Sequence, residues 1–414
     1  MTPATPATPA TPATPTSTTT PRADGFVRLL VGTQFAFNLG FYAVLPYLAT
    51  HLGEDLGLAG WLVGLVLGLR TFSQQGLFVV GGALADRFGP RPAVLAGCAL
   101  RVAGFAWLAV ARDTWSVIAA VVLVGFAAAL FSPAVETEVA RLAVERERRT
   151  GESRTRLLGL FNAAGQAGAL LGPVLGVLLL GSGFPTACLA GAGVFALVLL
   201  GHWRLMPRRP ATAAPRPVTA GLAGIARHRA FLLLCLAYGS YLVLYNQLYL
   251  ALPAEVGRAT GDQAALGWLF ALSSGLVVLC QVPVSRWSAR ALTPRAALRA
   301  GLLLVAAGCV ATALLLPVGG LWPALAFVVL LTAGQVLAVP AARALVPDLV
   351  DERELGLHTG AMSSLAGLLV LVASGPLGAL VDVEGVTSWL VLALVPLVGA
   401  LCVPARPKGS GTSG

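Results

Sequence analysis

Apolar residues in this chain come in long, nearly unbroken runs, and the polar residues are pushed into the short gaps between them. Twelve runs stand out, over residues 26–49, 58–82, 92–111, 115–135, 157–181, 184–203, 230–252, 264–285, 297–316, 321–342, 357–381 and 386–403. A bilayer core of about 30 Å is crossed by roughly 20 helical residues at ~1.5 Å rise each. Backbone groups in lipid must be satisfied within their own segment, so runs of this length predict helices, whereas a barrel would show short alternating strands. The fold expected is all-α and integral to the membrane, with twelve transmembrane helices. The first run is full length and carries no small-residue cleavage pattern, so no secretory signal is expected.

The polar gaps divide the chain. The longest lies at 204–229, with six Arg and four Pro, and follows the sixth run. Before the first run, Thr-Pro-Ala repeats from Thr2 to about Pro15, a period of three that reads as a polyproline-like tail with nothing to bury. The expected layout is a disordered cytoplasmic tail at 1–25, a six-helix bundle at 26–203, a basic linker at 204–229, a second six-helix bundle at 230–404 and a tail at 405–414. The halves echo each other. Ser132-Pro133-Ala134-Val135-Glu136 resembles Val339-Pro340-Ala341-Ala342-Arg343, and Leu45-Pro46 parallels Leu252-Pro253 at the same offset of 207. Two pseudo-symmetric bundles related by an axis along the membrane normal, with a site between them near the midplane, would produce this.

Composition and charge narrow the picture. Apolar residues make up 57% and charged residues 11% of the chain, against about 25% charged in soluble domains. If the amino terminus is cytoplasmic, 24 of the 28 Lys and Arg lie on the inner side, Arg112 and Arg258 lie outside, and Arg70 and Arg101 fall within runs. The positive-inside rule then puts both termini in the cytoplasm of a plasma-membrane protein. The net charge of +10 is read as topology and attraction to anionic lipid, and nucleic-acid binding is not supported, because the basic residues are scattered over many loops. Abundant Arg, Ala and Gly fit a GC-rich bacterial gene. The six cysteines are widely spaced within apolar runs and read as small buried residues; no metal site, disulfide or cofactor is expected. No Ser/His/acid set or HExxH motif is present, so no catalytic residues are expected.

One gap is unusually rich. Gly81-Gly82-Ala83-Leu84-Ala85-Asp86-Arg87-Phe88-Gly89-Pro90-Arg91-Pro92 concentrates charge, Gly and Pro between the second and third runs. Its order, G-x-L-A-D-R-x-G-x-R, resembles the loop between helices 2 and 3 of the major facilitator superfamily of transporters. The second-half counterpart, Val284-Ser285-Arg286-Trp287, keeps basic charge and loses the aspartate. In the fifth run, Gly168-Ala169-Leu170-Leu171-Gly172-Pro173-Val174-Leu175-Gly176 resembles the antiporter motif of drug/proton exporters in that superfamily. Gly168 and Gly172, one turn apart, admit a close neighbour, and Pro173 permits a kink. Asn38-Leu39-Gly40-Phe41-Tyr42 with Pro46, Gly68-Leu69-Arg70 with Gln74-Gln75-Gly76, and Arg101 with Gly104-Phe105-Ala106 resemble the MdtH group of bacterial multidrug exporters, most closely over residues 34–135.

The resemblance implies a gating latch of Gly82, Asp86, Arg87, Gly89, Arg91 and Glu136. In it Glu136 pairs with Arg87 or Arg91, and Asp86 faces the positive amino-terminal end of span 11 near Leu355 to His358. All eighteen acids lie at run ends or in gaps, so no mid-membrane carboxylate marks a proton site, and Glu136 is the nearest candidate. Arg70 and Arg101 do fall at mid-span. Each costs roughly 2.5–3.5 kcal/mol at the bilayer centre on insertion scales, so partners are expected among Gln74, Gln75, helix carbonyls, water or an anionic substrate group. Arg70 is read as a substrate contact and Arg101 as structural, which makes the cavity neutral to positive and unfavourable to simple lipophilic cations. Tyr238, Tyr241, Tyr245 and Tyr249 fall on one helical face beside Asn246 and Gln247, a surface suited to ring-bearing amphiphiles. Asn38, Tyr42, Asn162 and Gln166 complete the expected cavity; Gln281 and Gln335 are read more readily as bridges between helices.

These readings converge on a monomeric secondary transporter that exports amphiphilic drug-like or natural-product molecules, with protons as the coupling ion. Uptake of a small solute by the same fold, or a transport-inactive sensor or scaffold, are the alternatives. The antiporter motif speaks against uptake, and the intact latch speaks against loss of transport.

Overall fold

The computed structural model describes residues 21–208, 224–350, 355–383 and 385–404. The expected amino-terminal tail and the 204–229 linker lie partly outside this set, and the tail at 405–414 lies wholly outside it. Twelve apolar helical segments follow one another. The first six are α1 (Gly25–Asp55), α2 (Gly60–Ala85), α3 (Pro90–Val110), α4 (Thr114–Thr150), α5 (Arg156–Leu180) and α6 (Phe184–Leu205). The second six are α7 (Arg229–Thr260), α8 (Ala264–Ala291), α9 (Pro294–Val318), α10 (Trp322–Leu345), α11 (Leu357–Val383) and α12 (Val386–Leu401). Among the described residues eleven are long and apolar enough to cross a membrane, and α12 is shorter at 16 residues. At ~1.5 Å per residue even α12 reaches about 24 Å, close to the hydrocarbon thickness.

Three helices are interrupted where the chain demands it. Behind Tyr42, α1 tightens into a 3-10 turn at Leu45–Tyr47 around Pro46 and ends in a π turn at His51–Asp55. In α7 the helix breaks between Asn246 and Ala251, just ahead of Pro253, the residue 207 positions after Pro46. In α2 a π turn at Phe72–Gly76 widens the helix directly after Arg70 and Thr71. The α2–α3 connection turns on Gly89, whose φ of 89° is open to glycine at little cost, and Pro90 then starts α3.

One boundary differs from the hydrophobic pattern. The fourth run ends at residue 135, yet α4 continues to Thr150, where left-handed Gly151 stops it. The extension buries one face, with Glu138, Val139, Leu142 and Ala143, and carries charge on the other, laced by Arg149–Glu145 at 3.0 Å and followed by Arg146–Glu152 at 3.0 Å across the turn. Loss of apolarity ends a membrane crossing; it does not end a helix.

The packing repeats with a period of six helices. In the first half α1 packs on α5 and α6, α3 on α4 and α6, and α2 on α4. In the second half α7 packs on α11 and α12, α9 on α10 and α12, and α8 on α10, the same five pairs shifted by six. Between halves the main seams are α2 against α11 and α5 against α8, which the same shift exchanges. The fold is thus two pseudo-symmetric six-helix bundles. Along the α2–α11 seam, Gly60, Gly64 and Gly68 face Ser374, Gly378 and Asp382, both series stepping by four. A methyl group on Gly68 would lie 2.6 Å from Ser374 Cβ, so only glycine allows this approach.

The outer surface suits lipid. Leu178, Leu197, Leu279 and Leu314 are each more than 70% exposed, far beyond what a water-soluble surface of this extent would carry. Seven of the eight tryptophans are exposed near helix ends. Trp61, Trp107, Trp115, Trp268 and Trp322 lie at one end of the molecule and Trp203 and Trp287 at the other. Tryptophans in two belts mark two membrane interfaces.

Candidate functional site

One end of the molecule, the basic end, holds the arginine-rich connections. Away from it the two bundles touch. Gly60 N–H donates to both carboxylate oxygens of Asp382 at 3.1 and 3.2 Å, tying the start of α2 to the finish of α11. A methyl on Gly267 of α8 would lie 2.8 Å from Val177 Cγ2 and 3.2 Å from the Pro173 carbonyl of α5. Tyr47 Oη donates to that same carbonyl at 2.6 Å, so α1, α5 and α8 meet at one point.

Beneath this closure the first bundle meets α7 through side chains. Tyr42 Oη and Tyr245 Oη are 3.2 Å apart, Tyr245 Oη and Tyr249 Oη 3.4 Å apart, and Thr71 Oγ1 donates to Asn246 Oδ1 at 3.0 Å. The tyrosines form the row the spacing predicts: ring centroids step by 6.1, 5.9 and 5.9 Å from Tyr238 through Tyr241 and Tyr245 to Tyr249, and Phe270 of α8 extends it. Arg70 enters this cluster from α2. Its Nη2 donates to Gln74 Oε1 at 2.8 Å, and its guanidinium lies over the rings of Phe41 at 4.5 Å and Tyr249 at 5.7 Å.

Arg101, on α3, is 1% exposed and its Nε, Nη1 and Nη2 all lack a hydrogen-bond partner. No amide or carbonyl among the described residues accepts from it. Four ring faces surround it: Phe37 at 4.3 Å, Phe195 at 4.8 Å, Phe41 at 5.1 Å and Phe105 at 5.7 Å. At up to about 2 kcal/mol per desolvated ring, such a cage matches the roughly 2.5–3.5 kcal/mol cost of the charge. Nothing in the sequence pointed to this cage, because its rings come from three separate runs. Thr71 was likewise outside the expected cavity set.

The other expected cavity residues are spread along the bundle. Asn38 donates to the Gln34 carbonyl of its own helix at 2.9 Å and sits where α1 meets Gly165 and Gly168 of α5. Tyr241 is buried, Asn162 is exposed and Gln166 half-buried. Gly168, Gly172 and Gly176 all line the α1–α5 seam: methyl groups on the first two would meet Leu39 N at 2.9 Å and Tyr42 Cβ at 2.7 Å.

At the basic end the latch residues are arranged differently from the expectation. Arg91 Nη2 donates to the Trp203 carbonyl at 2.6 Å, joining the α2–α3 turn to the end of α6. Arg87 is exposed, its guanidinium over Phe88 at 5.4 Å. Gly82 is half-buried with open space beside it. The side chain of Asp86 lies outside the described residues, and with it the expected contact to Leu355 and His358; His358 itself packs edge-on to Phe231 at 4.8 Å. Glu136 meets neither Arg87 nor Arg91 among the described ion pairs. The basic residue nearest in effect to Glu136 is Arg343 of α10. Glu136 and Arg343 occupy the same place in the two repeats, 207 residues apart, and form no direct ion pair among the described residues.

Comparison with known proteins agrees with this architecture. The chain matches the sequence profile of the Major Facilitator Superfamily over residues 30–254 and 231–413. It is 38% identical over 367 residues to an uncharacterized MFS-type transporter of Mycobacterium tuberculosis, covering 86% of this chain and 85% of the relative. It is 33% identical over 362 residues to the multidrug resistance protein MdtH of Aeromonas hydrophila, covering 86% and 89%. Among solved structures, a POT family transporter in complex with 5-aminolevulinic acid superposes with a TM-score of 0.77 at 14% identity, over 91% of this chain and 95% of that one. A point mutant of the nucleoside transporter NupG does so with a TM-score of 0.74 at 14% identity, over 91% and 98%.

Proposed function

The chain belongs to the major facilitator superfamily, and on that premise we propose that it exports amphiphilic, ring-bearing molecules across the bacterial plasma membrane by proton antiport, with the basic end in the cytoplasm. The observation that carries the reading is the cluster of Tyr42, Arg70, Gln74, Tyr245, Asn246 and Tyr249, built from both bundles and closed off on the side away from the basic end. Rings supply contact area for an amphiphile, and a few hydroxyls and amides orient it. The kinship to a protein named for multidrug resistance supports drug-like substrates, and the Gly168–Gly176 seam of α5 supports the antiporter type.

In the proposed cycle the bundles rock about the α2–α11 and α5–α8 seams. Rocking the basic end shut brings the ends of α4 and α10 together, so Glu136 and Arg343 pair across the mouth; the Asp382 bond to Gly60 opens at the other end. Glu136 is the acid best placed to carry the proton, because neutralising it releases Arg343. Arg91 holds the α2–α3 turn against α6 through the Trp203 carbonyl.

Accumulation of a fluorescent amphiphile in cells with and without the protein, repeated with the proton gradient collapsed, tests this. Export predicts lower accumulation only while the gradient stands. Higher accumulation with the protein would make it an uptake carrier, and no difference under either condition would remove the transport reading of this cavity.

A further inference from the structure

Arg70 and Arg101 share one face of the first bundle, and no acid accompanies them among the described residues. Arg70 is 8% exposed, with Nε unpartnered and Nη1 only 3.5 Å from Thr71 Oγ1. A guanidinium offers five N–H donors, so most of the donor capacity of Arg70 is unspent after Gln74 is served. Arg101 has spent none. Their guanidinium carbons lie 4.5 and 5.1 Å from the centroid of the same Phe41 ring, so they are no further apart than about 10 Å, the sum of the two. At that separation inside a low-dielectric bundle the two positive charges reinforce each other at any point near Arg70, and salt screens them little.

Two buried like charges destabilise a bundle that apolar residues would pack more favourably. A ligand group of opposite sign at Arg70 offsets that cost, and the neighbouring groups suit it. Tyr42, Tyr245 and Tyr249 stand around Arg70 with rings and hydroxyls, while the acids of the path sit at its two ends, Glu136 at the basic mouth and Asp382 at the opposite closure. Arg101 cannot touch a ligand, because its nitrogens have no exposed surface and four phenylalanines enclose it.

We propose that the cavity selects amphiphiles bearing an acidic group, a sulfonate or carboxylate on a ring system, with Arg70 binding the anion and Arg101 acting from behind Phe41 as a positioning residue that sets the sign of the site. This rests on the reading of the cavity as the transport site, and it is independent of transport direction.

The test uses the full-length protein in lipid nanodiscs, with empty discs subtracted, and two probes that share one ring system: anilinonaphthalene sulfonate and phenyl-naphthylamine, which lacks the sulfonate. The wild type binds the sulfonate more tightly. Arg70→Gln lowers sulfonate affinity by about ten-fold or more and leaves the neutral probe within about two-fold. Arg101→Met, whose thioether suits a phenylalanine cage, lowers sulfonate affinity by roughly three- to ten-fold, and Arg101→Lys restores it. Arg70→Gln and Arg101→Lys decide the matter even where Arg101→Met does not fold. Equal affinity for both probes, equal losses for both in Arg70→Gln, or tighter binding of ethidium than of the sulfonate overturns the proposal. Direction is read separately in cells. Arg70-dependent anion binding together with higher cellular accumulation would keep this inference and sink export.

Discussion

Arg101 shows how a single residue can be legible and still misread. Its mid-span position announces a cost, and the cost directs attention to hydrogen-bond partners; the fold instead answers with four ring faces drawn from α1, α3 and α6. Phe37 and Phe41 are one helical turn apart, but Phe105 and Phe195 belong to two other runs, so only the folded bundle assembles the four. Glu136 was expected beside Arg87 or Arg91 and meets neither among the described ion pairs. The repeat Ser132–Glu136 against Val339–Arg343 sets an acid and a base at equivalent places, and the proposed cycle brings the two together across the basic mouth. Glu136→Arg and Arg343→Glu, made singly, place like charges there and should cut transport at least ten-fold by disfavouring closure of the basic end. The double charge swap should recover a substantial part of it. A swap no better than either single variant, measured by efflux rate at equal protein level, would argue against the pair.

Among the elements, helices were read well from apolar runs and badly from where those runs stop. The twelve apolar helical segments among the described residues follow the predicted runs, whereas α4 runs on to Thr150 because Gly151, and not the loss of apolarity, ends it. The breaks in α1 and α7 were foreshadowed by Pro46 and Pro253; the π turn after Arg70 had no signal beyond Gly76. The α2–α11 seam follows from Gly60, Gly64 and Gly68, whose four-residue step is plain in the sequence, but the partner series on α11 needs the fold. Gly64→Val should gain slightly in helix propensity and lose more by overpacking against Ser374 and Gly378, a net loss of about 1–3 kcal/mol. A thermal melt in detergent should shift down accordingly; an unchanged melt would mean the seam is looser than described. Tyr47→Phe, which deletes the bond to the Pro173 carbonyl, should cost a smaller amount, roughly 0.5–1.5 kcal/mol, by the same melt.

At the scale of the whole molecule, five packing pairs within one half recur in the other, and two seams that the symmetry exchanges join the halves. The proposed cycle uses one motion of this arrangement, a rocking of bundle on bundle about the central tyrosine–arginine cluster. The most direct test places spin labels in a cysteine-free background at exposed sites on either end: Thr137 with Ala344 at the basic end, and Glu54 with Thr260 at the other. Distance distributions by double electron–electron resonance, taken with and without a bound amphiphile and at two pH values, should move reciprocally. The account predicts that the Thr137–Ala344 distance shortens as the Glu54–Thr260 distance lengthens. Distances that stay fixed under every condition, or that lengthen together, would contradict it.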